Sequence, residues 1–228
     1  MQSLSITERR TPRELLELDG VQSQHFLAGQ TIYEPEDPPN LFYFIESGEV
    51  RIFDVAPGGT ARLLHILGPD EWLGAAVLGQ MPVYARRAVA VTDAVLWAIP
   101  ALSLRKMLAE HGDVALQIIE SMVQRLQEAW SEGSQLVFDD CRLRLIKTLL
   151  RFSNSPAARR SADGVVVLRI THKQLAQAVG AARETISVCL TELRLKNLVR
   201  TGRNQLIFDP EQLQALDPSG NAMIRVAC

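Results

Sequence analysis

Cysteine is scarce in this chain. Its 228 residues hold three, Cys141, Cys189 and Cys228, far apart and without a CxxC spacing, so neither a disulfide framework nor a thiolate zinc site is indicated. Long apolar runs are missing as well. Nowhere do about 18 apolar residues follow one another, the least a membrane-crossing helix needs, and the first twenty residues carry no apolar core of a secretory signal. No membrane partner and a cytoplasmic location are the resulting expectations. Internal repeats and low-complexity tracts are absent. No nucleophile–base arrangement, metal-ligand cluster or phosphate loop stands out either, so an enzyme, a metal and a cofactor are not expected.

What is present is ordinary in bulk and uneven in detail. Hydrophobic content of 47% and charged content of 22% suit a soluble protein, and the length allows two small domains with cores of their own. The net charge of −2 conceals an asymmetry. Between Cys141 and Phe208, 13 lysines and arginines stand against 3 acids, a balance of +10, which leaves 11 against 23, or −12, for the rest. A basic segment in an acidic protein is the footprint of a part that meets phosphates, although charge bias by itself also describes any solvated face.

The same segment carries the strongest pattern. Thr171 followed by Gln174 is a capping box that starts a helix with Leu175, Ala178 and Val179 on its apolar face. Gly180 supplies the turn. A second helix begins near Ala182, apolar at Ile186, Leu190, Leu193 and Leu195, polar at Arg183, Glu184, Ser187 and Arg194. Leu198–Thr201, Gly202-Arg203-Asn204 and Gln205–Phe208 then read as a hairpin. Two helices joined by a glycine turn and followed by a hairpin describe a winged helix-turn-helix.

The chain before it has another texture. Thr11-Pro12-Arg13-Glu14 predicts a short helix ended by Gly20. From Gln24 to about Ile99, β-rich runs (His25–Leu27, Thr31–Tyr33, Leu41–Ile45, Val50–Val55, Arg62–Ile66, Ala88–Val91, Ala94–Ile99) alternate with turn clusters, which predicts an antiparallel sandwich or barrel. Pro100 opens a short helix. Gly112-Asp113 caps a long one that runs to about Phe138 on three heptad tracks: Ala115, Met122, Ala129 and Leu136; Ile119, Leu126 and Gly133; Leu116, Val123, Trp130 and Val137. So many tracks exceed what one domain face needs and predict a dimer, with Leu126 and Met122 as seam positions; the alternative is a helix packed only on its own barrel. Asp139-Asp140 breaks the run, making residues 138–140 a hinge before a helix over Cys141–Phe152. Ser153–Gly164 reads as a polar loop, Val165–Ile170 as a strand, and a short acidic helix after Pro210 leads to a loose tail, Ser219–Cys228.

A β-roll, a long helix, a hinge and a winged helix-turn-helix in that order resemble the cyclic-AMP receptor protein/fumarate-nitrate regulator (CRP/FNR) family of bacterial transcription regulators. The resemblance covers about residues 20 to 210 and is strongest in ITHKQLAQAVGAARETISVCLTELRLKNLV, where the family pattern T-x-x-x-[LI]-A/G-x-x-x-G-x-x-R-E-T-[VI] stands almost intact. Gly29, Gly48, Gly68 and Gly74 fall at expected barrel turns. The implied fold is α+β: an N-terminal double-stranded β-helix (β-roll) effector domain over residues 1–110, a dimerisation helix over 111–138 and a winged helix-turn-helix DNA-binding domain over 139–228. The resemblance also implies a homodimer on an inverted repeat in double-stranded DNA, RNA polymerase as partner and a small-molecule effector. A nucleotide-gated regulatory subunit without DNA binding and an effector-independent regulator are the alternatives.

By the same resemblance Arg183 and Glu184 would reach base edges, Arg forking onto guanine and Glu accepting from cytosine N4, with Ser187 adding a weaker contact. Thr171, Gly202 and Arg203 match positions that hold the DNA backbone. Val188 stands where relatives often have a second arginine, and offers only apolar contact to a thymine methyl. The sensing half departs further. The cyclic-AMP cassette G-E-x-[AGS]…R-[ST]-A appears as Gly74-Ala75-Ala76 and Arg86-Arg87-Ala88, and the adenine-contacting Thr-Ser pair as Ala129-Trp130. Arg125 matches a family position. The loss of the glutamate at Ala75 and the gain of Trp130 argue against cyclic AMP; a small dicarboxylate on Arg86 or Arg87, or an empty site, fits better. Gly74-Ala75-Ala76 is partly similar to relatives that bind 2-oxoglutarate. An iron–sulfur cluster is excluded by the missing N-terminal cysteines. His65 reads as structural rather than as a haem ligand, and Trp130 as packing rather than a ligand platform. Cys189 reads either as a small buried hydrophobe or as a redox-sensitive thiol.

Overall fold

The computed structural model describes residues 19–79 and 81–217, and of residues 132–138 the backbone alone. The helix expected at Thr11 and the tail 219–228 lie outside the described residues, as do the side chains of the heptad positions Leu136 and Val137. Contacts divide the chain into two compact units: Met1–Val50 with Gly68–Gln124, and Arg51–Leu67 with Arg125–Cys228.

Among the described residues eight strands precede the first long helix: β1 (Gln22–Phe26), β2 (Thr31–Tyr33), β3 (Leu41–Ser47), β4 (Val50–Val55), β5 (Ala61–Leu67), β6 (Trp72–Leu73), β7 (Arg87–Ala90) and β8 (Ala94–Pro100). They form two four-stranded sheets in the orders β1-β8-β3-β6 and β2-β7-β4-β5, the strand order of a jelly roll. Seven of the eight overlap the expected β-rich runs. The two-residue β6 is the exception, since so short a piece carries no periodicity. A 3-10 turn over Ala75–Val77 follows it.

In the first unit β3 is the central element. It lies between β8 and β6, in register Tyr43↔Ala98 and Tyr43↔Leu73. Its buried run Phe42-Tyr43-Phe44-Ile45 shows why the sequence here is continuously apolar: both faces are covered. Phe42 and Phe44 meet Trp72 (ring centroids 5.4 and 4.7 Å) and form a core with Ile99 of β8, Leu104 and Met107 of α1 (Ala101–Glu110) and Val114 and Ile118 of α2 (Gly112–Phe138). Tyr43, pointing the other way by the pleat, joins a tyrosine cluster: Tyr33 stacks on Tyr84 at 4.1 Å and lies 6.2 Å from Tyr43. Of the four turn glycines, Gly29, Gly48 and Gly74 adopt positive φ, whereas Gly68 does not. At Gly48 a Cβ would lie 2.5 Å from that of Ala94, so the β3–β4 turn accepts no side chain.

The second unit holds the helix-turn-helix. Asp140 caps α3 (Cys141–Phe152) by accepting from the Leu143 N–H at 2.7 Å. Lys147 Nζ sits 2.8 Å from Asp139 Oδ2, and so anchors the residue before the cap. β9 (Ala158–Arg160), β10 (Val166–Leu168), β11 (Val199–Gly202) and β12 (Gln205–Phe208) make one antiparallel sheet in the order β11-β12-β10-β9. β9 corrects the reading of Ser153–Gly164 as loop: Ala-Arg-Arg has no β-branched residue to announce a strand, yet it pairs with β10 in register Arg160↔Val166. The core of this unit gathers Leu145 and Leu149 of α3, Leu175 of α4 (His172–Val179) and Ile186 and Leu190 of α5 (Arg183–Leu195), with Leu63 and Ile66 of β5. Arg51, nearly fully buried, donates from Nη2 to the Arg169 carbonyl at 3.1 Å. His65 Nδ1 stands 3.6 Å from Glu128. A short α6 (Pro210–Gln214) closes the described chain.

The tyrosine cluster makes the first unit sensitive to alkali. Burial, with Tyr43 nearby, pushes the Tyr84 hydroxyl well above its ordinary 10.0, although its hydrogen bond to the Leu41 carbonyl works the other way. A tyrosine held neutral in the fold stabilises fully below the unfolded value and loses that contribution as pH climbs past it. Barrel stability is therefore expected to fall above about pH 10. Tyr84→Phe should cost about 1 kcal/mol at neutral pH by leaving the Leu41 carbonyl without its donor, and should flatten the alkaline slope, both read from melting temperatures across pH.

Candidate nucleic-acid interface and sensor residues

The helix-turn-helix is built from its caps outward. Thr171 Oγ1 accepts from the Gln174 N–H at 3.2 Å while Gln174 Oε1 accepts from the Thr171 N–H at 3.1 Å, the full capping box. Gly180, at φ 69 and ψ 48, ends α4 in the left-handed conformation, and the Ala181 N–H returns to the Ala176 carbonyl at 3.1 Å. Two residues later α5 begins. Ala182 gives it no side-chain cap, and Glu184 in its first turn complements the helix dipole.

The inner row of α5 is Ile186, Cys189, Leu190 and Leu193. Leu195, expected on that row, is instead 76% exposed: two residues beyond Leu193 it has rotated about 200° round the axis, and Cys189 takes the fourth inner place. Arg183, Glu184 and Val188 are exposed and Ser187 is half-buried, so these four share one outer face of α5. Ser187 Oγ donates to the Arg183 carbonyl at 3.0 Å and lies 3.4 Å from His172 Nδ1, which brings the start of α4 beside the same face. Thr171 is half-buried, its hydroxyl committed to the cap. Arg203 is exposed at the hairpin tip. Gly202 is no part of the loop: it pairs with Gln205, leaving a two-residue turn in which Asn204 adopts φ 56.

Some candidates escape the sequence. His172 reads there as an ordinary first-turn residue. Arg200, Ile207, Val167 and Arg159 form one row across the sheet, with both arginines exposed. Alternation along the hairpin would have found Arg200. Nothing in the sequence would have placed Arg159, because β9 is not legible there.

The sensor residues fall in both units. Gly74, Ala75, Ala76, Arg86 and Arg87 belong to the first, Arg125 and Trp130 to the second. Gly74, at φ 90, lies so close to β3 that a Cβ would meet the Leu41 carbonyl at 2.9 Å, the same oxygen that Tyr84 donates to. This close approach fixes the Ala75–Val77 turn against the tyrosine cluster. Ala75 and Arg86 are exposed, whereas Arg87 Nε donates to Glu34 Oε2 at 2.7 Å. Of the two arginines, then, one carries a carboxylate of the barrel already.

On α2 the heptad tracks part company. Val114 and Ile118 are buried in the first unit's core and Met122, half-buried, packs against it. Leu116, Ile119, Val123, Leu126 and Trp130 are exposed, at spacings of three and four that line up as one stripe.

Against known proteins, the cyclic nucleotide-binding domain family matches residues 23–111 and the Crp-like helix-turn-helix domain family residues 143–216. Transcriptional regulator SdrP of Thermus thermophilus is 32% identical over 201 residues, 85% of this chain and 93% of the relative. The chain belongs to the CRP/FNR family. A solved CRP/FNR-family transcriptional regulator from Thermus thermophilus superposes with a TM-score of 0.70 at 31% identity, over 87% of this chain and 99% of that one. The CRP-like cAMP-activated global transcriptional regulator of Mycobacterium tuberculosis is 27% identical over 85% of this chain and 87% of its own length. This CRP/FNR protein is therefore a transcription regulator that joins a cyclic nucleotide-binding-type β domain to a helix-turn-helix. CRP-family regulators bind DNA and dimerise, and these relatives are regulators rather than enzymes. Among the described residues no helix is long and apolar enough to cross a membrane.

Proposed function

We propose that the protein is a cytoplasmic homodimer that binds an inverted-repeat operator in double-stranded DNA and governs RNA polymerase there in response to an effector other than cyclic AMP. Residues 1–110 form the effector domain, 111–138 the dimerisation helix and 139–228 the DNA-binding domain. The observation that carries this is the shared outer face of α5, where Arg183, Glu184, Ser187 and Val188 stand together with buried residues behind them. Thr171, Gly202 and Arg203 would hold the phosphate backbone around it, with His172 and Arg200 adding to them. A two-fold dimer presents two such helices, so half-sites should lie about one helical turn, ~34 Å, apart. An effector in the roll biases the paired helices, and the hinge at Asp140 repositions the recognition helices.

Operator selection from a random pool followed by titration tests the interface. Arg183→Ala should lose about 1–3 kcal/mol at one guanine and relax specificity there, whereas Arg203→Ala should weaken all sequences alike and lower the salt slope by about one. Equal affinity of the wild type for selected and random DNA would sink the reading.

The exposed stripe of α2 is the dimer seam. Facing a second copy of itself, the 3-4 spacing of Leu116, Ile119, Val123, Leu126 and Trp130 forms a heptad interface, and gives Trp130 a packing role. Leu126→Glu would bury unpaired charges there, at a cost of several kcal/mol, and should yield a monomer by sedimentation with operator binding lost and the winged domain folded. Met122→Glu should leave the seam intact while unsettling the barrel.

For the effector, the names of relatives suggest cyclic AMP, but this chain's residues do not suit it. Ala75 has no acceptor for a ribose hydroxyl, and an unpaired buried hydroxyl costs about 1–3 kcal/mol, roughly tenfold or more in affinity. Ala129 lacks a hydroxyl for adenine. Gly74, Ala75 and Ala76 offer backbone groups, while Arg86 and Arg87 supply cations suited to a small dicarboxylate. Calorimetry should show no cyclic AMP binding at micromolar Kd and unchanged operator affinity in its presence; micromolar binding with tighter operator binding would overturn this.

A further inference from the structure

The sheet β11-β12-β10-β9 has one face in the core and one turned away from it. Val199 of β11, Leu206 and Phe208 of β12 and Val166 and Leu168 of β10 are buried, so by the pleat Arg200, Ile207 and Val167 point the opposite way. Arg159 of β9 stands opposite Val167 in register and completes that row. Arg169 comes two residues after Val167, between the buried Leu168 and Ile170, and is exposed on the same face. Arg159 and Arg200 are exposed as well, while Val167 and Ile207 are half-buried and floor the space between them. Three strand steps separate Arg159 from Arg200, roughly 14 Å, and Arg169 lies about 7 Å along the strands from their row.

Acids beside these strands do not neutralise the face. Asp163, in the β9–β10 loop, accepts from the Ser161 hydroxyl. Asp209, after β12, caps α6 and accepts from Gln212 Nε2 at 3.0 Å. Among the described residues none of the three arginines is in an ion pair.

We propose that Arg159, Arg169 and Arg200 form a second DNA-contacting surface, one that takes the phosphate backbone of the duplex flanking the operator. This surface presupposes the DNA-binding reading of α5 and extends it. Arg200 lies two residues before Gly202, and Arg169 two before Thr171, so the face is continuous with the positions that would hold the operator's own backbone. From there it continues to β9 at the edge of the sheet. The major groove is about 12 Å wide, so the phosphates on its two rims stand about as far apart as Arg159 and Arg200. A guanidinium donates a planar fork to phosphate oxygens, and its stem lies along apolar surface such as Val167 and Ile207 offer. Contacts of this kind add affinity without reading bases. The flanking duplex bends toward the sheet to reach β9, and the contacts made there offset the cost of the bend.

The test compares two duplexes on the full chain: one ending at the outer bases of the operator, the other longer by about ten base pairs of random sequence on each side. Wild type should bind the longer duplex about tenfold more tightly and with a steeper salt dependence. Arg159→Ala combined with Arg169→Ala should bind the short duplex as wild type does and lose the advantage of the long one. On the long duplex its salt slope should flatten by about 3.6, since a dimer gives up four phosphates at ~0.9 each. Arg159→Lys with Arg169→Lys, which keeps the charge, should recover most of the gain. Equal wild-type affinity for both duplexes overturns the surface, and so does a double-alanine variant, equal to wild type in melting temperature, that keeps the gain. A variant that keeps the gain but loses transcription by added polymerase assigns the face to a protein partner, which also overturns it. If the wild type fails to distinguish operator from random DNA, the reading of α5 has failed, and the flanking surface falls with it.

Discussion

The burial of one row of α5 is the constraint on which the rest of the DNA-binding unit depends. Ile186, Cys189, Leu190 and Leu193 go into a core shared with α3, α4 and the sheet, and burying four such side chains is worth several kcal/mol. With the row fixed, helical geometry leaves no choice about the other side: Arg183, Glu184, Ser187 and Val188 must face outward together. No residue of that outer face has to be held in place by its own bonds. The scaffold aims them, and Ser187, bonded back to the Arg183 carbonyl, is the only one of the four with a local tether among the hydrogen bonds described.

The barrel rests on an analogous restriction, applied to backbone rather than to a helix face. The Leu41 carbonyl receives the Tyr84 hydroxyl and stands against Gly74, where no Cβ fits. One oxygen thus ties β3, the tyrosine cluster and the turn over Ala75–Val77 together. The Arg87–Glu34 pair nearby is of a different kind. Its side chains are 37% and 40% exposed, so solvent screens it, and such pairs contribute about 0–1 kcal/mol. An anion competing for Arg87 would displace little.

How much of this was legible follows from which signals are local. The capping box, Gly180, the Asp140 cap and the hairpin are each written in three or four consecutive residues, and all are present. The barrel strands announced themselves by short alternating runs between turns, whereas β6 was too short and β9 too poor in β-branched residues. The heptad tracks of α2 were visible, but periodicity does not say which positions face the molecule's own core, as Val114, Ile118 and the half-buried Met122 do. Leu195 shows the same weakness over a single step. Pairings between distant residues had no signal at all. Nothing local to Arg87 foretells Glu34.

Arg144 shows how pairings beyond the local sequence connect the start of α3 to the helix-turn-helix. Its Nη1 donates to the Asp139 carbonyl at 3.0 Å and its Nε to the Val179 carbonyl at 3.3 Å, so one guanidinium spans the residue before the α3 cap and the last residue of α4. A cation at the C-terminus of α4 also suits that helix's dipole. Val179 immediately precedes Gly180, whose left-handed conformation sets the angle at which α5 leaves. Lys147 holds Asp139 from the other side at 2.8 Å. A rotation of the chain at Asp139 therefore strains two charge-assisted bonds unless α3 and the helix-turn-helix follow it as a body. These bonds tie the residue before the α3 cap to the helix-turn-helix, and closely packed cores resist deformation in any case.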